Sequence, residues 1–268
     1  MSRPHILITN DDGIHAPGIR HLWNSLKDHA DITIVAPATE QSAVGLGITI
    51  RQPLRIEKNE YFDNTNAWSI TGTPADCVKM AFSVLLETPP DFVVSGINRG
   101  TNAGRNVLYS GTVAAAIEGV MHDVPSLAFS CCDYIDPGFH FAEKYTATIL
   151  QHIVEHPLPK GTLLNVNFPH KMSNGIQGFK MTRQGKEFWA ENPDMRYHPA
   201  ENQSYYWLGA KINQFEEEED SDISWLRQGY VTAVPVHIGE LTDHHQRQAR
   251  RDHFEQLFSA KAHPTNLI

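Results

Sequence analysis

Two acids, Asp11 and Asp12, stand side by side in ILITNDDGIHAPG (6–18), directly past a run that reads as a buried strand. One such acid has an ordinary explanation: near a helix start it caps free N–H groups and offsets the helix dipole. Two adjacent carboxylates repel one another and need a counter-charge. A divalent cation is the natural one. Receiver domains that accept a phosphoryl group on Asp also place acids after a first strand. They need a further Asp at the end of a middle strand, where this chain has Ser95-Gly96-Ile97-Asn98, so that reading loses support.

Ser42 follows the next strand-like segment, so its hydroxyl can face the acids. In VSGINRGTNAGRNVLYSGTVAAAIEG (94–119), Asn98, Asn102 and Asn106 recur every four residues among Gly96, Gly100 and Gly104. Glycine lets the backbone approach a ligand closely, and Asn offers a neutral oxygen or an amide donor. Ser110-Gly111-Thr112 then opens an Ala-rich helical stretch. Free N–H groups with hydroxyls beside them form an anion site, or simply a capped helix, and both can hold at once. Carboxylates, a hydroxyl and an amide oxygen favour Mg²⁺, Mn²⁺ or Ca²⁺ over Zn²⁺. A cation beside an anion site is the equipment of phosphoester hydrolysis: the cation polarises a phosphoryl oxygen and acidifies water, while the helix start holds the remaining oxygens.

Other letter patterns carry less. His152-Ile-Val-Glu155-His156 matches a zinc-peptidase pattern, but Pro157 ends that helix at once and no further ligand is evident. His244 and His245 are adjacent, and adjacent helical residues point to different sides. No phosphate-binding P-loop, nucleophile elbow or dinucleotide fingerprint occurs.

The elements that must position these residues alternate strand and helix. HILIT (5–9), ITIVAPA (32–38), DFVVSGI (91–97), PSLAFSC (125–131) and TLLNVNF (162–168) read as strands. ITIRQPLRIE (48–57) reads as a longer strand near an edge, because Pro53 cannot donate a ladder bond. Helical patterns open at Pro17, with Ile19, Leu22, Trp23 and Leu26 on one face, and recur over 111–122 and 139–155; 69–86 reads as strand end, turn and helix. The alternation predicts an α/β fold with a Rossmann-like, mainly parallel sheet covered on both faces. Ligands bind past the carboxyl ends of such strands, where the acids lie.

From about residue 171 the texture changes, with strand-like pieces at 178–183, 204–209 and 229–238 and a helix over 241–258. The expectation is a single domain over 1–268: a core over about 1–170 and an extension of hairpin, strand and C-terminal helix suited to subunit contacts. The acidic run 216–220 reads as a solvated loop. A length of 268 residues supports one large α/β domain, and a net charge of −9 disfavours a nucleic-acid polymer as partner. Cys77, Cys131 and Cys132 are too few for a disulfide framework, and the last two read as small core residues. No stretch approaches the roughly 20 apolar residues of a membrane span. The first residues lack a signal-peptide pattern, so a cytoplasmic location is expected.

NDDGIHAPGI (10–19), APATEQSAVG (36–45), TGTPADCV (71–78), VSGINRGTNAG (94–104) and YSGTVAAAIEG (109–119) closely resemble the SurE survival-protein family of metal-dependent 5′/3′-nucleotidases. NVNFP (165–169), TRQG (182–185), YYWLG (205–209) and GYVTAVPV (229–236) agree. The resemblance implies hydrolysis of nucleoside monophosphates, with short polyphosphate as a further substrate of some members. It implies one divalent metal ion on Asp11, Asp12, Ser42 and Asn98, and phosphate held by Asn102, Ser110, Gly111 and Thr112. It also implies homodimers or homotetramers joined by an exchanged C-terminal extension. The nucleophile is expected to be a metal-activated water, with an aspartyl-phosphate on Asp11 or Asp12 as the rival. The family commonly has a basic residue shortly before the metal-site Ser and Gly after it, where this chain has Glu40 and Ala43. Ala43 keeps open a second class of reading, a nucleotide-binding regulatory protein with weak turnover. Ser221-Asp222 stands where the family often has Thr-Asp, which bears on the oligomer interface.

Overall fold

The Ile-rich run at the start forms β1 (His5–Thr9) of a nine-stranded sheet in the computed structural model, which describes residues 3–170, 175–190, 192–209, 211–213 and 215–259. Side chains alternate across a strand: Ile6 and Ile8 enter one hydrophobic layer and Leu7 the other. Helix α1 (Pro17–Leu26) begins at a proline, whose fixed φ suits a first helical position, and buries Ile19, Leu22, Trp23 and Leu26 against the first layer. β2 (Asp31–Pro37) then pairs parallel with β1.

The next crossover departs from expectation. The segment 48–57 contributes only β3 (Ile56–Lys58), an edge strand antiparallel to β4 (Asn66–Ile70). Helix α2 (Pro74–Met80) opens on a capping box built by Thr73 and Asp76. Those same side chains take up the earlier backbone: Thr49 N donates to Asp76 Oδ1 (3.0 Å), and Thr73 Oγ1 donates to the Gly47 carbonyl (2.7 Å). Groups bound to a helix start cannot also run a ladder, and Pro53 has no N–H to offer.

β5 (Phe92–Arg99) returns to the other side of β1. Then come α3 (Gly111–Met121), β6 (Ser126–Cys131), α4 (Phe139–Glu155) and β7 (Thr162–Phe168). Past residue 170 the chain adds β8 (Gly178–Met181), β9 (Phe188–Ala190), β10 (Asp194–Tyr197), β11 (Ser204–Trp207), β12 (Lys211–Asn213), α5 (Asp222–Arg227), β13 (Tyr230–His237) and α6 (His244–Ser259). The sheet order is β3-β4-β2-β1-β5-β6-β7-β13-β8, and the six strands from β4 to β7 are mutually parallel. Helices α1 and α4 cover one face, α2 and α3 the other. The α/β architecture is as the alternation predicts.

β8 and β13 complete the main sheet, while β10–β11 and β9–β12 form two antiparallel ribbons. The acidic run is not wholly solvated: Glu217 accepts from Lys186 N (2.8 Å) and Glu187 N (2.9 Å), tying that loop to the segment before β9. Cys131 is buried and Cys132 half-buried. Among the described residues no helix is long and apolar enough to cross a membrane.

Candidate active site at the switch of the sheet

The chain leaves β1 towards β2 and later resumes at β5 on the opposite side of β1. Helices on the two faces diverge at such a switch and open a crevice past the strands' carboxyl ends. Asp11 and Asp12 follow β1, Ser42 lies in the loop after β2, and Asn98 is the penultimate residue of β5. Backbone bonds join these loops: Gln41 N donates to the Asp11 carbonyl (2.8 Å) and Ile14 N to the Pro37 carbonyl (2.9 Å).

The head of α3 closes on the acids. Thr112 Oγ1 donates to Asp11 Oδ1 at 2.6 Å. A Cβ on Gly111 would sit 2.7 Å from Asp11 Cβ, so this approach requires glycine. Ser110 is the N-cap, its Oγ accepting from Val113 N (3.1 Å). Asn102 Nδ2 donates to Ser130 Oγ (2.8 Å) and Thr112 Oγ1 (3.3 Å). Arg99 N donates to Asp12 Oδ2 (3.2 Å). Asp11, Thr112 and Asn102 are therefore linked by hydrogen bonds, with Gly111 packed on Asp11, Asp12 held by Arg99 N and Ser110 capping the helix beside them. Ser42 and Asn98 border this group through their chain neighbours. Ser42 is exposed and donates to Glu40 Oε1 (2.6 Å); Asn98 Nδ2 donates to the Gly100 carbonyl (2.7 Å), which holds its amide in place.

Burial pushes the Asp11 carboxyl up to about 7; the charge of Asp12 adds to this and the Thr112 hydroxyl opposes it. Burial also raises Asp12, against the Arg99 backbone N–H and guanidinium. That guanidinium is exposed and lies over the Tyr134 ring, 4.4 Å from its centroid.

Three residues support this site whose part in it the sequence reading did not identify. Asn167 Oδ1 accepts from Asn102 N (2.9 Å) and Thr101 Oγ1 (3.1 Å), and Asn165 Nδ2 donates to the Asn102 carbonyl (2.9 Å). Both are fully buried in β7, and two Asn in the otherwise apolar TLLNVNF were the available signal. Asp222, also fully buried, accepts from Gly104 N, Gln184 Nε2, Gly185 N and Ile223 N at 2.8–3.1 Å. It works within the chain, fastening the glycine-rich loop to the C-terminal part. Among the described residues the two lettered histidine motifs gather no further metal ligands. His152 lies exposed on α4 and His156 exposed just past its end, and His244 pairs with Glu240 at 3.2 Å.

Ala43 has φ +58°. An L-residue held in that region costs about 1–2 kcal/mol that glycine does not. Ala43→Gly is thus expected to raise the thermal midpoint by about 2–4 °C in a calorimetric scan. An unchanged midpoint would show that no strain is held there.

Comparison with known proteins gives a consistent picture. Residues 6–191 match the family model described as Survival protein SurE. A 5′-nucleotidase SurE of Protochlamydia amoebophila is 56% identical over 244 residues, covering 91% of this chain and 94% of that one. Its counterpart in Heliobacterium modesticaldum is 44% identical, covering 89% and 88%. The crystal structure of the SurE protein from Aquifex aeolicus superposes with a TM-score of 0.80 at 35% identity, covering 94% of this chain and 100% of that one. The match spans the sheet, the acid loop and the head of α3, and the chain belongs to the SurE survival-protein family.

Proposed function

We propose that this chain is a nucleotidase that hydrolyses the phosphate ester of nucleoside 5′- and 3′-monophosphates with one divalent cation, Mg²⁺ or Mn²⁺. The observation that carries the reading is the pair Asp11–Asp12, desolvated, mutually repelling and pressed against a helix start. Such a pair lacks a built-in counter-charge of its own size. Asp11, Asp12, Ser42 and Asn98 would hold the cation, and their all-oxygen donor set suits a hard ion. Bound there, it supplies a Lewis acid for the phosphoryl oxygen and lowers the pKa of water. The relatives' printed name, 5′-nucleotidase, supports the substrate class.

The protein's own groups supply the rest. Val113 and Ala114 N–H bond to Ser110 and the Thr112 N–H turns to the Asp11 carboxylate, which leaves the Gly111 N–H at the head of α3 for a phosphate oxygen. Asn102, braced by Ser130, Asn165 and Asn167, directs its amide at the same region. Without the cation Asp11 gains or loses its proton around neutrality, so a cation binding there would displace that proton. The exposed Tyr197, Tyr205, Tyr206 and Trp207 of the β10–β11 ribbon offer apolar surface for a second copy of the chain, in keeping with a homodimer or homotetramer. Short polyphosphate is a further substrate on this reading.

The test is phosphate release from AMP, GMP and their 3′ isomers with Mn²⁺, run beside Asp12→Asn. Turnover by the parent and a loss of at least about 10³-fold in the variant are expected. Equal inactivity of both, with nucleotide still bound, would leave the chain a regulatory binder. A second expected outcome concerns pH. A proton on Asp11 competes with the cation, so Mn²⁺ affinity should fall about tenfold per pH unit below about 7. Titrations between pH 5.5 and 8 with flat affinity would remove Asp11 from the ligand set.

A further inference from the structure

Helices α1 and α4 pack side by side on one face of the sheet and border a cavity of about 470 Å³. Its walls are largely apolar, with Pro17, Phe139, Phe141 and Phe168 among them. Three metal-ligating side chains meet at this helix pair: His21 from α1, and His140 and Glu143 from α4. Their ligand-capable atoms all lie within 4.8 Å of one another. His140 and Glu143 are three residues apart and so share one helix face. His21 crosses from the neighbouring helix, its Nδ1 hydrogen-bonded to Glu143 Oε2 and its ring edge-on to His140 at 4.6 Å between centroids. His21 and Glu143 are half-buried and His140 is exposed, so the cluster is preformed yet open to solvent.

We propose that His21, His140 and Glu143 bind a Zn²⁺ ion, at a site separate from the acid pair. Two imidazoles and a carboxylate are a donor set that Zn²⁺ takes readily, with the fourth position left to water or to a ligand entering the cavity. Zinc–ligand bonds of about 2.0–2.1 Å set tetrahedral donors about 3.3 Å apart. Reaching that spacing asks the hydrogen-bonded His21 Nδ1 and Glu143 Oε2 to part slightly and the exposed His140 side chain to turn towards them. The selectivity is opposite to that of the acid site: nitrogen donors here, oxygen donors there. His170 also lines the cavity, but it faces Asp133 at 3.6 Å and stands outside the set. The ordinary alternative is a His21–Glu143 bond that merely joins α1 to α4.

The test is a Zn²⁺ titration of the full chain in saturating Mg²⁺, read by a chromophoric competitor, with Co²⁺ absorption as a second readout. One tightly held Zn²⁺ is expected in the parent, and visible Co²⁺ bands of four-coordinate intensity. His140→Ala, at an exposed position, and Glu143→Gln should each weaken binding at least tenfold and remove the bands, with circular dichroism and Mn²⁺-dependent phosphate release unchanged. His152→Ala, which breaks an exposed histidine pair at the far end of α4, should change nothing. The proposal is overturned if the parent holds no such ion, or if His140→Ala binds Zn²⁺ as the parent does. It is equally overturned if His152→Ala is the variant that loses it. None of these outcomes depends on whether the acid site hydrolyses nucleotides.

Discussion

Asp11→Asn is expected to yield a protein that is more stable than its parent without metal and at least about 10³-fold slower in phosphate release. Burial and the neighbouring Asp12 move the Asp11 carboxyl from 3.8 to about 7. A carboxyl whose pKa is raised by folding is tolerated best when protonated. The burden is therefore absent below about pH 4, builds as pH rises, and is fully present above about pH 7. Its full size there is on the order of 4 kcal/mol. Asn removes the charge and keeps an oxygen for the Thr112 hydroxyl bond. At pH 8 in a chelator the variant's thermal midpoint should exceed the parent's by several degrees; at pH 4 the two should converge. Added Mn²⁺ should raise the parent's midpoint and leave the variant's nearly unchanged. An equal metal-induced rise in both would mean that Asp11 is buried for some purpose other than the cation.

The same contrast separates what the sequence made legible from what it did not. The acid pair, the cap at Ser110 and the small residues after it are local patterns; the fold keeps the Ser110 cap and brings the helix head against Asp11. Strands 5–9 and 162–168, and the strand Ser204–Trp207 within the piece read at 204–209, were readable because their apolar or aromatic runs are bounded by turn residues and helices. The segment 48–57 misled because the competition for its backbone comes from Thr73 and Asp76, side chains some 26 and 27 residues away. Asn167 and Asp222 reach partners 65 and 118 residues distant. No periodicity encodes such pairings. Glu217 shows the same blindness on a smaller scale, since an acidic run looks solvated until a facing N–H is known.

Asp222→Ala should be the most destabilising single change in the C-terminal part, although Asp222 touches no residue of the proposed metal set. Its two carboxylate oxygens take three backbone N–H groups and the Gln184 amide in a fully buried position. Removing the acceptor leaves those donors dry, which costs on the order of 3–5 kcal/mol and, in a chain of this size, a midpoint loss on the order of 10 °C. Asp222→Asn keeps one acceptor oxygen and should fall between parent and Ala variant. Activity should suffer less than stability. Gly104, which Asp222 holds, has φ +59°, and a Cβ there would strike the Glu187 carbonyl at 2.4 Å, so its loop is also fixed by shape. Asn102, the residue of that loop nearest the acids, has its own supports in β7. Phosphate release measured well below the variant's midpoint should therefore stay within about tenfold of the parent. A midpoint within about 2 °C of the parent would show that other groups or water satisfy the four donors. A 10³-fold loss of turnover in a stable Asp222→Ala protein would instead place Asp222 in control of the acid site.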